Sequence, residues 1–158
     1  MRKTRSLRRA FLLASGCVIA LTAVGVAQDK LAQVKARQDF MERQQKDVDA
    51  INDYAKGKGE KAVALEKADD LIALAPKIVD LFPPGTSSKD FPGKSKAKPE
   101  IWAEWDKAKL IPEKLRVAEL KLADVIKTGT PQQVGEEMRA VYRNNCNSCH
   151  GPYREPEH

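Results

Sequence analysis

Apolar residues along this chain recur with helical spacing, and no stretch sustains the period-two alternation of a strand. Leu31, Val34, Met41, Val48, Ile51 and Tyr54 follow one another at steps of three or seven, which predicts a single apolar stripe along a first helix over roughly 29–56. Gly57-Lys58-Gly59 ends it, glycine being common just past a helix terminus. A second helix over roughly 60–81 turns Val63, Leu71, Leu74, Ile78 and Leu81 inward, with a kink at Pro76. Four prolines, two glycines and three serines make 82–99 the one long loop. A third helix starts near Pro99-Glu100 and is broken or bent at Pro112; beyond it Leu115, Ala118, Leu122 and Val125 share a face. After Thr128-Gly129-Thr130-Pro131, a stop followed by a new start, a last helix over about 131–150 carries Val134, Met138, Val141 and Cys149 inward. The expected fold is all-α, an antiparallel up-and-down four-helix bundle whose short turns are interrupted only by the 82–99 crossing.

Charge changes the picture only after the chain is divided. The full sequence carries a net charge of +6 and a pI near 9.2, which on its face suits a polyanion partner. Five of its 28 cations and none of its 22 acids lie in residues 1–27, where Ala10–Ala27 is an uncharged run ending in the small residues Gly25-Val26-Ala27. A basic start, an apolar middle and a small-residue end form a secretory signal peptide. Cleavage after Ala27 leaves 23 cations against 22 acids over 28–158, so a nucleic-acid partner loses its support. Two features bear on the export route. Leu13-Ala14-Ser15-Gly16-Cys17 approximates a lipoprotein box but continues into apolar sequence, and Arg8-Arg9 resembles a twin-arginine signal. An uncleaved anchor is the alternative, since eighteen apolar residues just span a bilayer. A cleaved leader makes the protein exported, hence periplasmic in a bacterium, and not anchored to the membrane.

Cleavage also removes Cys17, leaving Cys146 and Cys149 as the only cysteines, in the run C-N-S-C-H with His150. A disulfide across so small a loop constrains little of the unfolded chain, so a structural staple is a poor explanation. Structural zinc needs four ligands, and beyond these three the chain offers only terminal His158. A thioredoxin-like pair needs a strand leading into a helix, and no strand is predicted. Covalent haem accounts for each detail. On a helix, positions i and i+3 share a face and i+4 lies beside them, so two thioethers and an axial imidazole can meet one macrocycle.

With that motif at the C-terminal end of an exported four-helix domain, followed by Tyr153-Arg154, the chain resembles the class II cytochromes c, the cytochrome c′ family. The resemblance extends over R-Q-D-F-M (37–41), L-F-P-P-G-T (81–86) and K-P-E-I-W (98–102). It implies one covalent haem c, with Cys146 and Cys149 as thioether residues and His150 as an iron ligand. It also implies that the residue four after the first helix's arginine, here Met41 after Arg37, sits over the opposite face of the iron. The overall likeness is to the low-spin branch, which implies His150 and Met41 as the axial pair and a carrier of single electrons. Methionine favours ferrous iron and raises the potential. The alternative is a five-coordinate cytochrome c′, its open site screened by an apolar side chain and able to bind nitric oxide or carbon monoxide. Met41 would then be packing, in the heptad-spaced stripe Val34, Met41, Val48.

Arg37 is a candidate contact for a haem propionate, or else an exposed surface charge. Trp102 aligns with a tryptophan in the family's haem-side wall, with core packing as the alternative. Trp105 belongs at the helix surface or in the bundle wall, and Met138 in the core. In the family the arginine after the motif lies on the proximal side of the haem. Gly151-Pro152 predicts that the last helix ends near His150, which interrupts that role for Arg154. Lys89, Lys94, Lys96 and Lys98 solvate the long loop or steer an acidic redox partner. The family implies a monomer or a homodimer packed through its first two helices. No constellation for substrate chemistry is present, so the chain reads as a non-enzyme. A haem-free helical interaction module remains only if C-N-S-C-H is accidental.

Overall fold

The periodicities above are realised as helices in a computed structural model of the protein, which describes the backbone of residues 18–156 and the side chains from residue 28. The start of the expected leader (1–17), with Cys17, and His158 lie outside the described residues. The first helix, α1 (Val18–Ala55), ends in Gly57 at φ +72°, whose N–H donates to Tyr54 O at 2.9 Å. The second, α2 (Lys61–Leu74), passes at Pro76 into a 3-10 segment, Ala75–Leu81. Proline lacks the N–H that would continue the α ladder, so the expected kink takes the form of a tightened turn. Two single-turn helices follow the long loop, α3 (Glu100–Ala103) and α4 (Trp105–Ala108), in place of the one expected. Pro112 begins α5 (Ile111–Thr128) rather than breaking a helix, since an N-terminal turn has no use for the missing N–H. Thr130 and Gln133 form a reciprocal capping box at the start of α6 (Pro131–Val141). A π turn, Tyr142–Cys146, leads into α7 (Asn147–Tyr153).

α1 packs on α2, α2 on α5, α5 on α6, and α6 back on α1, which closes a four-helix bundle. Its centre is made by Val34, Ile51, Leu122, Ile126, Val134 and Val141, all buried. α2 contributes a narrow face of Ala64, Ala68, Leu71 and Ala75, while Val63, expected inside, is exposed at 44%. Alanines let α2 approach its neighbours closely; Leu71, Leu74 and Ile78 lie inward as expected, and at the start of the helix the inner position is taken by Ala64 rather than Val63. Gly135, buried in α6, plays the same part: a Cβ there would already touch Ala55 Cβ of α1 at 3.5 Å.

The 82–99 loop is built rather than loose. Arg37, 6% exposed and so not a surface charge, makes four hydrogen bonds, three into the loop and one to Leu81 at the end of the preceding 3-10 segment. Its Nη1 donates to Leu81 O and Thr86 Oγ1 at 3.1 Å, and its Nη2 to Thr86 O and Ser95 Oγ at 2.9 Å. The guanidinium also lies over the Phe82 ring, 4.8 Å from its centroid. At the loop's far end Lys98 N–H donates to Tyr153 O and Glu155 N–H to Lys96 O, both at 2.8 Å. The antiparallel bridge Ala97–Arg154 is the only extended pairing among the described residues. None of the described helices is long and apolar enough to cross a membrane.

Candidate functional site

The inner face of α6 is set by Val134, Met138 and Val141. A π turn holds one more residue than an α turn, so everything after it lags by one position, about 100° around the axis. That lag carries Cys146, His150 and Tyr153 onto the same inner face. The helix continues through the motif to Tyr153 rather than ending near His150, with Pro152 inside its last turn. At a helix end the bond that proline forfeits is cheap. Arg154 N–H, donating to His150 O at 3.2 Å, closes the turn.

Cys146 and Cys149 are half-buried and free. Burial pushes both thiols up to about 11, with the neighbouring Glu119 carboxylate adding to the effect at Cys146. The proton affinity of His150 is lowered, first by burial and then by the positive charge of Arg154. A neutral imidazole is the form that ligates a metal.

These three residues line one wall of a cavity of about 1,090 Å³. Across it stand Val34, Arg37, Met41 and Val48 of α1; Leu71, Phe82 and Leu115 close the sides. Packed protein interiors hold few voids larger than a water molecule. A cavity of this size at the centre of a bundle is therefore the mould of a large group, near the upper end of the range for ligand pockets, roughly 300–1,000 Å³. Two thiols at the i, i+3 spacing, an adjacent imidazole and a lining that mixes apolar with polar side chains fit a covalently held haem. No group of three or more His, Cys, Asp or Glu residues among those described could hold a bare metal ion.

The other residues singled out from the sequence separate into cavity and support. Met41 lines the cavity and packs against the bundle core, as the heptad stripe requires. Arg37 also lines it, but its Nη1 and Nη2 donate to Leu81 O and to three acceptors of the loop. Trp102 is not in the cavity wall. Its Nε1–H donates to Phe82 O at 2.9 Å and its ring meets Phe82 edge-on at 6.4 Å, so it supports the side chain that is. Trp102 and Trp105 pack with Ile101, Tyr153 and Cys149 in a smaller apolar cluster behind the motif, and Tyr153 Oη donates to Glu104 Oε2 at 2.9 Å. Arg154 lines the cavity beside His150.

One cavity residue escaped the sequence reading. Glu119 of α5 is 2% exposed, lines the cavity, and leaves Oε2 without a hydrogen-bond partner. Burial alone pushes its carboxyl up to about 8. The signal was available: the buried face of α5 runs Leu115, Glu119, Leu122, Ala123, Ile126, so an acid stands inside the apolar stripe. Placing Ala118 on that face instead hid it.

A sequence profile described as cytochrome c′ matches residues 32–154. The cytochrome c′ of Rhodospirillum rubrum is 27% identical over 156 residues, which cover 94% of this chain and 99% of that protein. Among solved structures, a cytochrome c′ from Rhodobacter Spheriodes is 26% identical and superposes with a TM-score of 0.72 over 81% of this chain and 98% of its own. A second, a cytochrome c′ with a ligand-controlled dimer dissociation, gives 26% identity and a TM-score of 0.70 over 80% and 97%. These similarities lie with the cytochromes c′, which are typically five-coordinate, and they give no support to the expected low-spin His/Met branch.

Proposed function

The chain belongs to the cytochrome c′ family and is thus a monohaem c-type cytochrome with one covalent haem c; from that premise we propose that its iron is five-coordinate, with His150 as sole axial ligand, and that it binds nitric oxide or carbon monoxide on the Met41 side. The observation that carries the reading is the division of the cavity. The motif and its imidazole line it from the last helix, and Met41 and Val48, which line it from α1 among several polar residues, also pack against the bundle core.

In the proposed site Cys146 and Cys149 would hold the haem to the last helix through thioethers. His150 offers a neutral nitrogen, kept so by burial and by Arg154. A bound haem would supply one-electron chemistry and a metal able to take a small ligand. Met41, with Val34 and Val48, excludes water from that metal and limits the space to a small apolar ligand. Arg37 acts on the site indirectly, by holding the loop that carries Phe82 against the cavity. The family is periplasmic, which agrees with an export leader on this chain, and its members are often dimers.

Electron paramagnetic resonance of the ferric holoprotein tests the coordination number. A high-spin signal is expected. A purely low-spin signal that becomes high-spin in Met41→Ala would return Met41 to the iron and make electron transfer the better reading.

A further inference from the structure

We propose that Glu119 couples haem reduction to proton uptake: its carboxylate accepts a proton from solvent when the haem in this cavity accepts an electron from a one-electron donor. The inference rests on the haem occupying the cavity, and not on whether the iron is five- or six-coordinate. The step balances as one electron to the iron and one proton to a Glu119 oxygen, with no bond broken; oxidation reverses both.

The geometry that carries this is an acid in the wrong place for stability alone. Buried carboxylates are retained when paired or hydrogen-bonded. Glu119 stands in the apolar stripe of α5, is almost fully buried, lines the haem cavity, and has an oxygen with no partner. Its ionised form therefore depends on positive charge supplied from within the cavity. Ferric haem carries one more positive charge than ferrous haem, and at a carboxylate as deeply buried as Glu119 such a difference is weakly screened. Oxidation favours the carboxylate; reduction favours the acid.

Other charges share the cavity and need separating from it. From α1 there are Arg37, held in the loop, and Glu42; from α6 and the π turn, Arg139, Tyr142, Arg143 and Cys146. From α7 and its end come Cys149, His150, Tyr153 and Arg154, and from the loop Lys96. α2 contributes only Leu71 to the lining, and the 3-10 segment nothing. Burial is the one cause acting on Glu119, and none of these groups offsets it. Cys146, whose thiol proton is gone once the thioether forms, is the group on which Glu119 acts in turn.

The test is the reduction potential of the holoprotein against pH from 5 to 10, for wild type and for Glu119→Gln, which keeps the shape and removes the titration. Wild type is expected to show a segment approaching one proton per electron, a tenfold change in proton activity shifting a one-electron couple by about 59 mV. Glu119→Gln loses that segment and keeps whatever pH dependence the other groups contribute. Identical profiles for the two proteins overturn the proposal. Should the variant not fold, reduced-minus-oxidised infrared spectra of wild type decide it: a buried protonated-carboxyl band gained on reduction supports coupling, and no carboxyl change refutes it. A carbon monoxide complex that fails to form would count against the open iron site and leave this result standing.

Discussion

Met41 and Glu119 face one cavity with opposite chemistries, and each makes a separable prediction. If Met41 only screens the iron, truncating it leaves the ferrous spectrum five-coordinate and widens the space above the metal. Met41→Ala should then bind carbon monoxide faster by an order of magnitude or more, measured by stopped flow, with no change of spin state. Glu119 acts on stability. Its carboxyl is raised from 4.5 to about 8 in the folded protein, so between those values the native state holds a proton that the unfolded chain does not. Unfolding releases that proton, and stability falls as pH rises through the window. Below it both states are protonated and nothing is lost. One pKa unit is worth about 1.4 kcal/mol, so the loss across the window amounts to a few kcal/mol. Urea denaturation of the ferrous protein, the state in which the acid is favoured, at pH 5 and pH 8 should show it in wild type and not in Glu119→Gln.

Among the elements, the 82–99 loop depends most on a single side chain. Arg37 satisfies one backbone carbonyl and two hydroxyls there and the carbonyl of Leu81 just before it, and nothing of another shape can do so. Arg37→Ala should cost about 2–4 kcal/mol in denaturant unfolding. Arg37→Lys should recover little, because an ammonium group lacks the planar fork that reaches four acceptors. From sequence Arg37 read as a propionate contact or a surface charge, since a latch between elements 44 to 58 residues apart leaves no local pattern. Helix existence, by contrast, was legible: large apolar side chains mark α1, α5 and α6, and glycine, proline and the Thr130 cap mark their ends. α2 was placed correctly and Leu71, Leu74 and Ile78 are buried as expected, but Val63 is exposed and the alanines at 64, 68 and 75 were missed, because alanine packs without announcing itself. The π turn was invisible to a reading that assumes one period throughout. It is also why the helix could be expected to end at Pro152 and yet carries the motif onto the bundle's inner face.

At the scale of the whole molecule, the bundle encloses a group rather than closing on itself. A cavity of about 1,090 Å³ bordered by α1, α5, α6 and α7 means that much of the core's packing partner is the haem. The thioethers keep the haem on the chain whether it is folded or not, so what stabilises the fold is burial of the haem's apolar surface in the cavity. The double variant Cys146→Ala/Cys149→Ala, unable to form either thioether, should therefore melt at a markedly lower temperature and with a broader transition in circular dichroism. The two cysteines and His150 were legible as a haem site because three residue types at fixed spacing carry their own chemistry. The state of the sixth position was not, since a methionine at a core spacing serves packing and ligation equally well in sequence. The optical spectrum of the reduced holoprotein, taken before and after carbon monoxide, addresses that position directly. A broad high-spin spectrum that converts on adding the gas is the predicted result. A sharp low-spin spectrum unmoved by carbon monoxide would contradict the account and place Met41 on the iron.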